Sequence, residues 1–142
     1  MHDLVTALAR HTPFDDREAL AVMQIRDFLA SSDNAFDRSN LYGHITGSAL
    51  LISGDGRRVL LNHHAKLNIW MCFGGHCDGE PDTRAVAARE TREEAGIVAF
   101  AHIGDIFDVD IHEIPENMSK GEPEHYHFDI CYLLHCTGDE TP

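Results

Sequence analysis

The segment spanning residues 69–97 constrains the fold of this chain more than any other part of it. A short apolar run, residues 69–73, leads into Gly74-Gly75 and then into a polar loop. Residues 82–95 are rich in Ala, Glu and Arg, and Gly96 follows them where a helix C-cap belongs. The pattern predicts a strand that passes through a glycine pair and a loop into a helix.

Apolar and β-branched runs on both sides of this segment predict further strands. Residues 45–52 and 58–61 flank an Asp-Gly pair, which is a strong β-hairpin signal. Two more strands are expected near 97–110 and 124–136. Trp70 is predicted to anchor the core, with a pocket-edge aromatic that stacks a base as the alternative. Mixed strands around one well-marked helix favour an α/β or α+β sandwich.

The amino-terminal third is predicted to be a helical extension. Residues 1–33 have helical character, and residues 31–43 are polar and form a connector. The chain is therefore divided into an extension with its connector, residues 1–43, and a sheet domain, residues 44–142. The extension is expected to pack on the sheet or across a homodimer through its apolar side chains, Leu20, Met23, Ile25, Phe28 and Leu29.

Composition argues against several classes of protein. The 142 residues include 24 acidic side chains against 11 Lys and Arg, a formal net charge of −13. That balance argues against binding a nucleic acid polymer, because duplex affinity depends on Lys and Arg. No apolar run approaches the ~18–20 residues of a membrane-spanning helix, and no signal peptide is evident. The four Cys are expected to be reduced thiols, and the cytoplasm is the expected location.

Three glutamates of the predicted helix share one face. Glu90, Glu93 and Glu94 are separated by three and four residues, offsets that return to the same side of a helix. Neighbouring carboxylates repel one another unless a cation lies between them, and hard divalent cations such as Mg²⁺ take oxygen ligands. This face is a candidate metal platform, and a solvated acidic surface is the alternative.

The spacing of these acids matches a known motif. Residues 75–97 resemble the Nudix box, G-x5-E-x7-R-E-U-x-E-E-x-G-U, in which U is a bulky aliphatic residue. Pro81 stands where the first box Glu belongs, with Glu80 beside it, and Thr91 replaces the first aliphatic residue. The matching positions are Gly75, Arg89, Glu90, Glu93, Glu94, Gly96 and Ile97.

The resemblance implies a fold, a cofactor and a set of roles. The fold would be the α/β class, a Nudix-like α/β/α sandwich with a mixed sheet, here with an N-terminal helical extension and without the usual C-terminal strand and helix. The reaction would be hydrolysis of a small diphosphate-containing substrate such as a nucleoside diphosphate derivative, dependent on Mg²⁺ or Mn²⁺. The catalytic residues would be Arg89, Glu90 and Glu93, with Glu90 either a metal ligand or the base that prepares the attacking water. The metal ligands would be Gly74 through its carbonyl, Glu90, Glu93 and Glu94.

A second polar cluster is predicted near the carboxyl end. Along residues 124–136 the side chains alternate, so that His125, His127 and Asp129 share one face opposite an apolar face. A subset of Nudix sequences resembles this chain in having both Gly-Gly-His, here ending at His76, and a His-x-His-x-Asp strand. We therefore take these four residues as candidates for substrate binding. The alternatives are that the polar face is the solvent-exposed side of an edge strand, or that these histidines only hydrogen-bond to loop backbone.

Two alternative interpretations of the sequence remain. A zinc site through thiols is disfavoured because the cysteines have C-x4-C spacing and Cys131 and Cys136 lie on opposite faces of a strand. The second hypothesis is a non-catalytic Nudix-fold module that binds a ligand or regulates a partner. Pro81 and Thr91, the two departures from the box, motivate it.

Overall fold

The computed structural model describes residues 3–142, so Met1 and His2, the start of the predicted extension, lie outside the described residues. Within this range no helix is both long and apolar enough to span a bilayer. The helices are α1 (Leu4–Arg10), α2 (Asp16–Ser31) and α3 (Thr83–Ala95), with a 3-10 turn at Met118–Lys120. The strands are β1 (Gly43–Ile52), β2 (Val59–Leu60), β3 (Asn62–His64), β4 (Ile69–Met71), β5 (Phe73–His76), β6 (Phe100–Ile114) and β7 (His125–Cys136).

Five strands form one mixed sheet with β1 and β7 at its centre. β7 runs parallel to β1 on one side and antiparallel to β6 on the other. β2 and β5 pair antiparallel with successive parts of the opposite edge of β1, and β3 and β4 form a separate hairpin. Because β7 has a partner on both sides, the edge-strand alternative is wrong.

The two sides of the sheet differ in chemistry because successive side chains of a strand point to opposite faces. We call one the helix side: there Ile45, Ala49 and Leu51 of β1 are fully buried. Gly47 lies on this side in contact with α3, where a Cβ would come 2.7 Å from the Thr83 carbonyl oxygen. We call the other the polar side, because it carries the polar β1 side chains His44, Thr46 and Ser48, followed along the strand by Leu50 and Ile52.

The amino-terminal helices pack on the helix side of their own sheet. The Phe28 ring of α2 stacks on Phe128 of β7, with ring centroids 4.4 Å apart. Glu18 is fully buried, and its carboxylate accepts a hydrogen bond of 2.9 Å from the Val109 amide of β6. His11 Nε2 lies 3.0 Å from the same carboxylate. These contacts join the extension to the sheet through both apolar packing and hydrogen bonds.

Two expectations about the core are wrong. Leu20 and Met23 of α2 are 50% and 55% exposed, because the face that meets the sheet is formed by Ala21, Val22, Ile25 and Phe28. Trp70 is 67% exposed, because it lies on the separate β3–β4 hairpin and not on the main sheet. Its ring contacts His63 across that hairpin, with centroids 4.7 Å apart.

Candidate active site

The box glutamates lie on α3 where this helix passes β5. α3 begins after Asp82, whose side chain accepts a hydrogen bond from the Ala85 amide, and it ends at Gly96 in the left-handed conformation. Gly75 of β5 faces Glu90 so closely that a Cβ at position 75 would lie 2.7 Å from the Glu90 Cδ. The absence of a side chain at this position is what allows the Glu90 carboxylate to rest against the strand.

Arg89 holds this arrangement together. Its guanidinium donates one hydrogen bond of 2.9 Å to Glu90 Oε1 and another of 3.3 Å to the His76 carbonyl oxygen. The hydrogen bond to Glu90 raises the pKa of Arg89 above its usual value. Arg89 therefore fixes the Glu90 carboxylate against the end of β5 by a charge-assisted contact.

Glu94 lies beside Glu90, and although the residue as a whole is exposed, its carboxylate is partly covered by neighbouring atoms. Burial raises the pKa of Glu94, and the negative charge of Glu90 raises it further, whereas hydrogen bonds from the Gly74 backbone and from Asn62 lower it. The Asn62 side-chain amide donates to Glu94 Oε2 over 3.1 Å. Asn62 carries no sequence signal for this contact, because it lies on β3, far from the box in sequence and outside any motif.

The residues present fit a hard divalent cation at the Glu90–Glu94 pair. Two adjacent, partly desolvated carboxylates repel each other, and a cation with oxygen ligands relieves that repulsion. The Gly74 backbone amide hydrogen-bonds to the Glu94 carboxylate. Because the N–H and C=O of one strand residue point to the same side, the Gly74 carbonyl oxygen also lies on the side of β5 that faces Glu94. Glu93 stands apart: its side chain is 62% exposed, and its carboxylate is 4.0 Å from Arg89 Nε.

Substitution of Gly75 by Ala tests the close packing of Glu90 against β5. We expect the affinity for Mn²⁺ to fall by about tenfold or more, because the new methyl group displaces the Glu90 carboxylate. Loss of an outer-shell contact alone typically weakens metal binding by about 10–100-fold, and a carboxylate that binds the ion directly contributes more. The melting temperature should change little, since the clash is with the mobile end of one side chain. Electron paramagnetic resonance of Mn²⁺ gives the affinity, and a variant with unchanged Mn²⁺ binding would contradict the assignment.

The candidate substrate-binding residues lie on the polar side of the sheet. Asp129 accepts hydrogen bonds from Thr46 (2.7 Å) and Ser48 (2.6 Å), while burial raises the pKa of Asp129. The rings of His76 and His127 are 5.2 Å apart, and those of His125 and His127 are 5.1 Å apart. The structure thus brings all four candidates to one side of β5, with the box glutamates on the other.

The departures from the Nudix box have local structural explanations. Thr91 is fully buried and donates its hydroxyl hydrogen bond to the Ala87 carbonyl oxygen (2.8 Å), so a polar residue is accommodated at an aliphatic position. Glu80 is exposed and accepts a hydrogen bond from the Asp82 amide (2.9 Å), which shapes the turn before α3 around Pro81. Neither feature disrupts the Glu90–Glu94 pair.

A cavity of about 620 Å³ lies elsewhere, between α2 and the sheet. Aromatic rings of Phe28, Tyr42, Tyr126 and Phe128 line it together with polar side chains such as Gln24. None of its lining residues belongs to α3 or β5, so this cavity is distinct from the carboxylate site.

Comparison with known proteins gives a family match, a similar protein sequence and a similar solved structure. The family model described as NUDIX domain matches residues 44–142. The chain is 27% identical over 140 residues to a protein of Lactococcus lactis subsp. cremoris (strain MG1363) named probable DHNTP pyrophosphohydrolase, covering 98% of this chain and 81% of that protein. A crystal structure of a NUDIX-family hydrolase from Clostridium perfringens aligns with a TM-score of 0.45 and 24% identity, over 70% of this chain and 72% of that one.

The predicted mixed α/β fold and the predicted Nudix-type hydrolase are confirmed at the level of the family. The matched region covers well over half of the sequence and includes every box residue. The chain therefore belongs to the NUDIX domain family.

Proposed function

We propose that this chain is a Mg²⁺-dependent Nudix hydrolase that cleaves a pyrophosphate bond in a nucleoside diphosphate derivative or a related small diphosphate. The observation that carries the proposal is the Glu90–Glu94 carboxylate pair, packed against Gly75 and fixed by Arg89. In a chain of net charge −13, a polyanionic substrate needs such a site to reverse the local field.

The proposed metal ligands are Glu90, Glu93, Glu94 and the Gly74 carbonyl. When bound, Mg²⁺ neutralises phosphate oxygens and stabilises the charge that develops on the leaving group. Glu90 accepts a proton from the attacking water while the water oxygen forms a bond to phosphorus. The bridging P–O bond breaks, and its oxygen departs with the leaving group. Arg89 keeps the Glu90 carboxylate in the position from which it can accept that proton, and Glu93 supplies a carboxylate from the exposed edge of the site.

The polar side of β5 is the proposed position of the rest of the substrate. His76, His125, His127 and Asp129 lie there. Only strand β5 separates them from the carboxylate pair, and Arg89 contacts this strand at the His76 carbonyl oxygen. Their imidazole and carboxyl groups suit hydrogen bonding to the group attached to the diphosphate. The relative named probable DHNTP pyrophosphohydrolase makes DHNTP the first compound to test.

The test is a substrate panel assayed for released phosphate and pyrophosphate. The panel contains DHNTP, nucleoside diphosphates and triphosphates, nucleotide sugars and dinucleoside polyphosphates, each with Mg²⁺ or Mn²⁺. We expect turnover of at least one compound, abolished by EDTA and restored by added Mg²⁺. Nucleotide binding in calorimetry without turnover, and unaffected by Glu94→Gln, would instead support the non-catalytic module that Pro81 motivates.

A further inference from the structure

Three histidines from three strands converge on the polar side of the sheet. His44 of β1, His76 of β5 and His127 of β7 each offer a ring nitrogen, and these nitrogens all lie within 4.8 Å of one another. We call them the histidine cluster. Among the described residues it is the one group of three or more His, Cys, Asp or Glu side chains that converges this closely.

The strand pairing makes the histidine cluster a fixed part of the sheet. His44 is directly opposite His127 in the parallel β1–β7 pair, and His76 is opposite Thr46 in the antiparallel β1–β5 pair. All three side chains therefore project from neighbouring positions on one face of three hydrogen-bonded strands. Sites on such rigid elements are held more precisely than sites on loops.

His44 is buried without hydrogen bonds. It is 4% exposed, and neither its Nδ1 nor its Nε2 has a hydrogen-bond partner among the described residues. The Asn40 backbone lies close enough to raise the pKa of this ring, but its contact with the ring does not meet the geometry of a hydrogen bond. Buried polar atoms without partners are costly, so each one in a native structure calls for an explanation, and binding of a water or an ion is one such explanation.

His125 is already oriented as a further donor. Its Nδ1 lies 2.8 Å from the Pro123 carbonyl oxygen, a contact that requires the proton on Nδ1 and leaves a lone pair on Nε2. That Nε2 lies 3.3 Å from His127 Nε2. A backbone carbonyl that fixes the tautomer of a histidine is the outer-shell contact typical of metal-ligating imidazoles.

The charge state of the cluster favours a metal ion over an anion. The ring centroids of His44, His76 and His127 lie 4.9–5.2 Å apart, and His44 is buried, so three positively charged rings at this spacing would repel one another strongly. Neutral imidazoles are good ligands for transition metals but carry no charge to attract phosphate. Arg38, which opposes protonation of His76, is paired with Asp78 over 2.8 Å.

We propose that His44, His76 and His127 form a second metal site, distinct from the carboxylate pair, for a borderline transition-metal ion such as Zn²⁺. Three imidazoles with one open position match the ligand set of catalytic zinc sites, and His125, water or a substrate oxygen can take the fourth position. A tetrahedral site with zinc–nitrogen bonds of about 2.0–2.1 Å requires nitrogens roughly 3.3 Å apart. The nitrogens of the cluster lie within 4.8 Å of one another, so binding would require the rings to rotate toward the ion, and His76 and His127 would then contact substrate through it.

Zinc titration of the full, tag-free chain tests the proposal. Calorimetry is carried out with Zn²⁺ in the presence of excess Mg²⁺, and we expect one zinc ion per chain. His76→Gln and His127→Gln should weaken Zn²⁺ binding by more than the roughly 10–100-fold that loss of an outer-shell contact costs. The matched control is His63→Gln, an exposed histidine outside the cluster, which should bind Zn²⁺ as the unaltered chain does.

A second measurement separates this site from the carboxylates and from folding defects. The Glu90→Gln/Glu94→Gln double variant should retain Zn²⁺ binding, and ¹⁵N NMR should show Zn²⁺-dependent shifts at the ring nitrogens of the histidine cluster. Zinc binding that follows the glutamates, or unshifted cluster resonances, would overturn the proposal. Because these readouts do not involve turnover, they are independent of whether the chain hydrolyses a diphosphate.

Discussion

Replacement of Glu90 by Gln is expected to lower kcat by about 10²–10⁴-fold, the range that loss of a positioned general base costs. The substitution keeps the shape of the side chain that packs against Gly75, but it removes the negative charge that Arg89 holds over 2.9 Å. It also removes one of the two adjacent carboxylates that fit Mg²⁺. Steady-state kinetics on whichever panel compound is turned over, at saturating Mg²⁺, measures the effect.

The matched control for Glu90→Gln is Glu116→Gln, an exposed glutamate in the loop after β6. It should leave kcat within about twofold, since surface substitutions of this kind seldom exceed about 0.5 kcal/mol. Both variants should unfold at nearly the same temperature as the unaltered chain. Full activity of Glu90→Gln at saturating Mg²⁺ would remove Glu90 from the proposed mechanism.

The sequence predicted the main elements of the fold because the relevant signals are local. Helix α3 is bounded by Asp82 and Gly96, both of which act as caps in the structure. The alternation along β7 correctly placed Phe128, Ile130 and Tyr132 in the core. Fixed spacing along one helix is likewise enough to place Glu90 and Glu94 on a common face.

The missed features depend on pairing between distant strands. His44 precedes an apolar run and gave no signal by itself, because its partners His76 and His127 are brought to it only by the register of β5 and β7. Asn62 reaches Glu94 from a hairpin whose position relative to α3 no local pattern encodes. The extent of β6, which continues to Ile114, is set in the same way, by its ladder with β7.

Deletion of residues 1–32 is expected to abolish cooperative folding of the remaining chain. The described part of this segment supplies core side chains from α1 (Leu4, Ala7, Leu8) and from α2 (Ala21, Val22, Ile25, Phe28). Large-to-small substitutions at such positions cost about 2–5 kcal/mol each, and the total stability of a domain is about 5–15 kcal/mol. We expect aggregation and no sigmoidal unfolding transition in urea, and a monomeric truncated protein that unfolds cooperatively would contradict this expectation.

Point substitutions on α2 measure the contribution of side-chain packing without removing any part of the chain. Ile25 is fully buried, whereas Leu20, on the same helix, is 50% exposed. Ile25→Ala should lower the free energy of unfolding by about 2–5 kcal/mol through the cavity that it leaves, and Leu20→Ala by about 1 kcal/mol or less. Urea denaturation of the two variants measures both values. Equal losses would mean that α2 is not seated on the sheet by the face that carries Ile25, because only a buried side chain leaves a cavity when it is truncated.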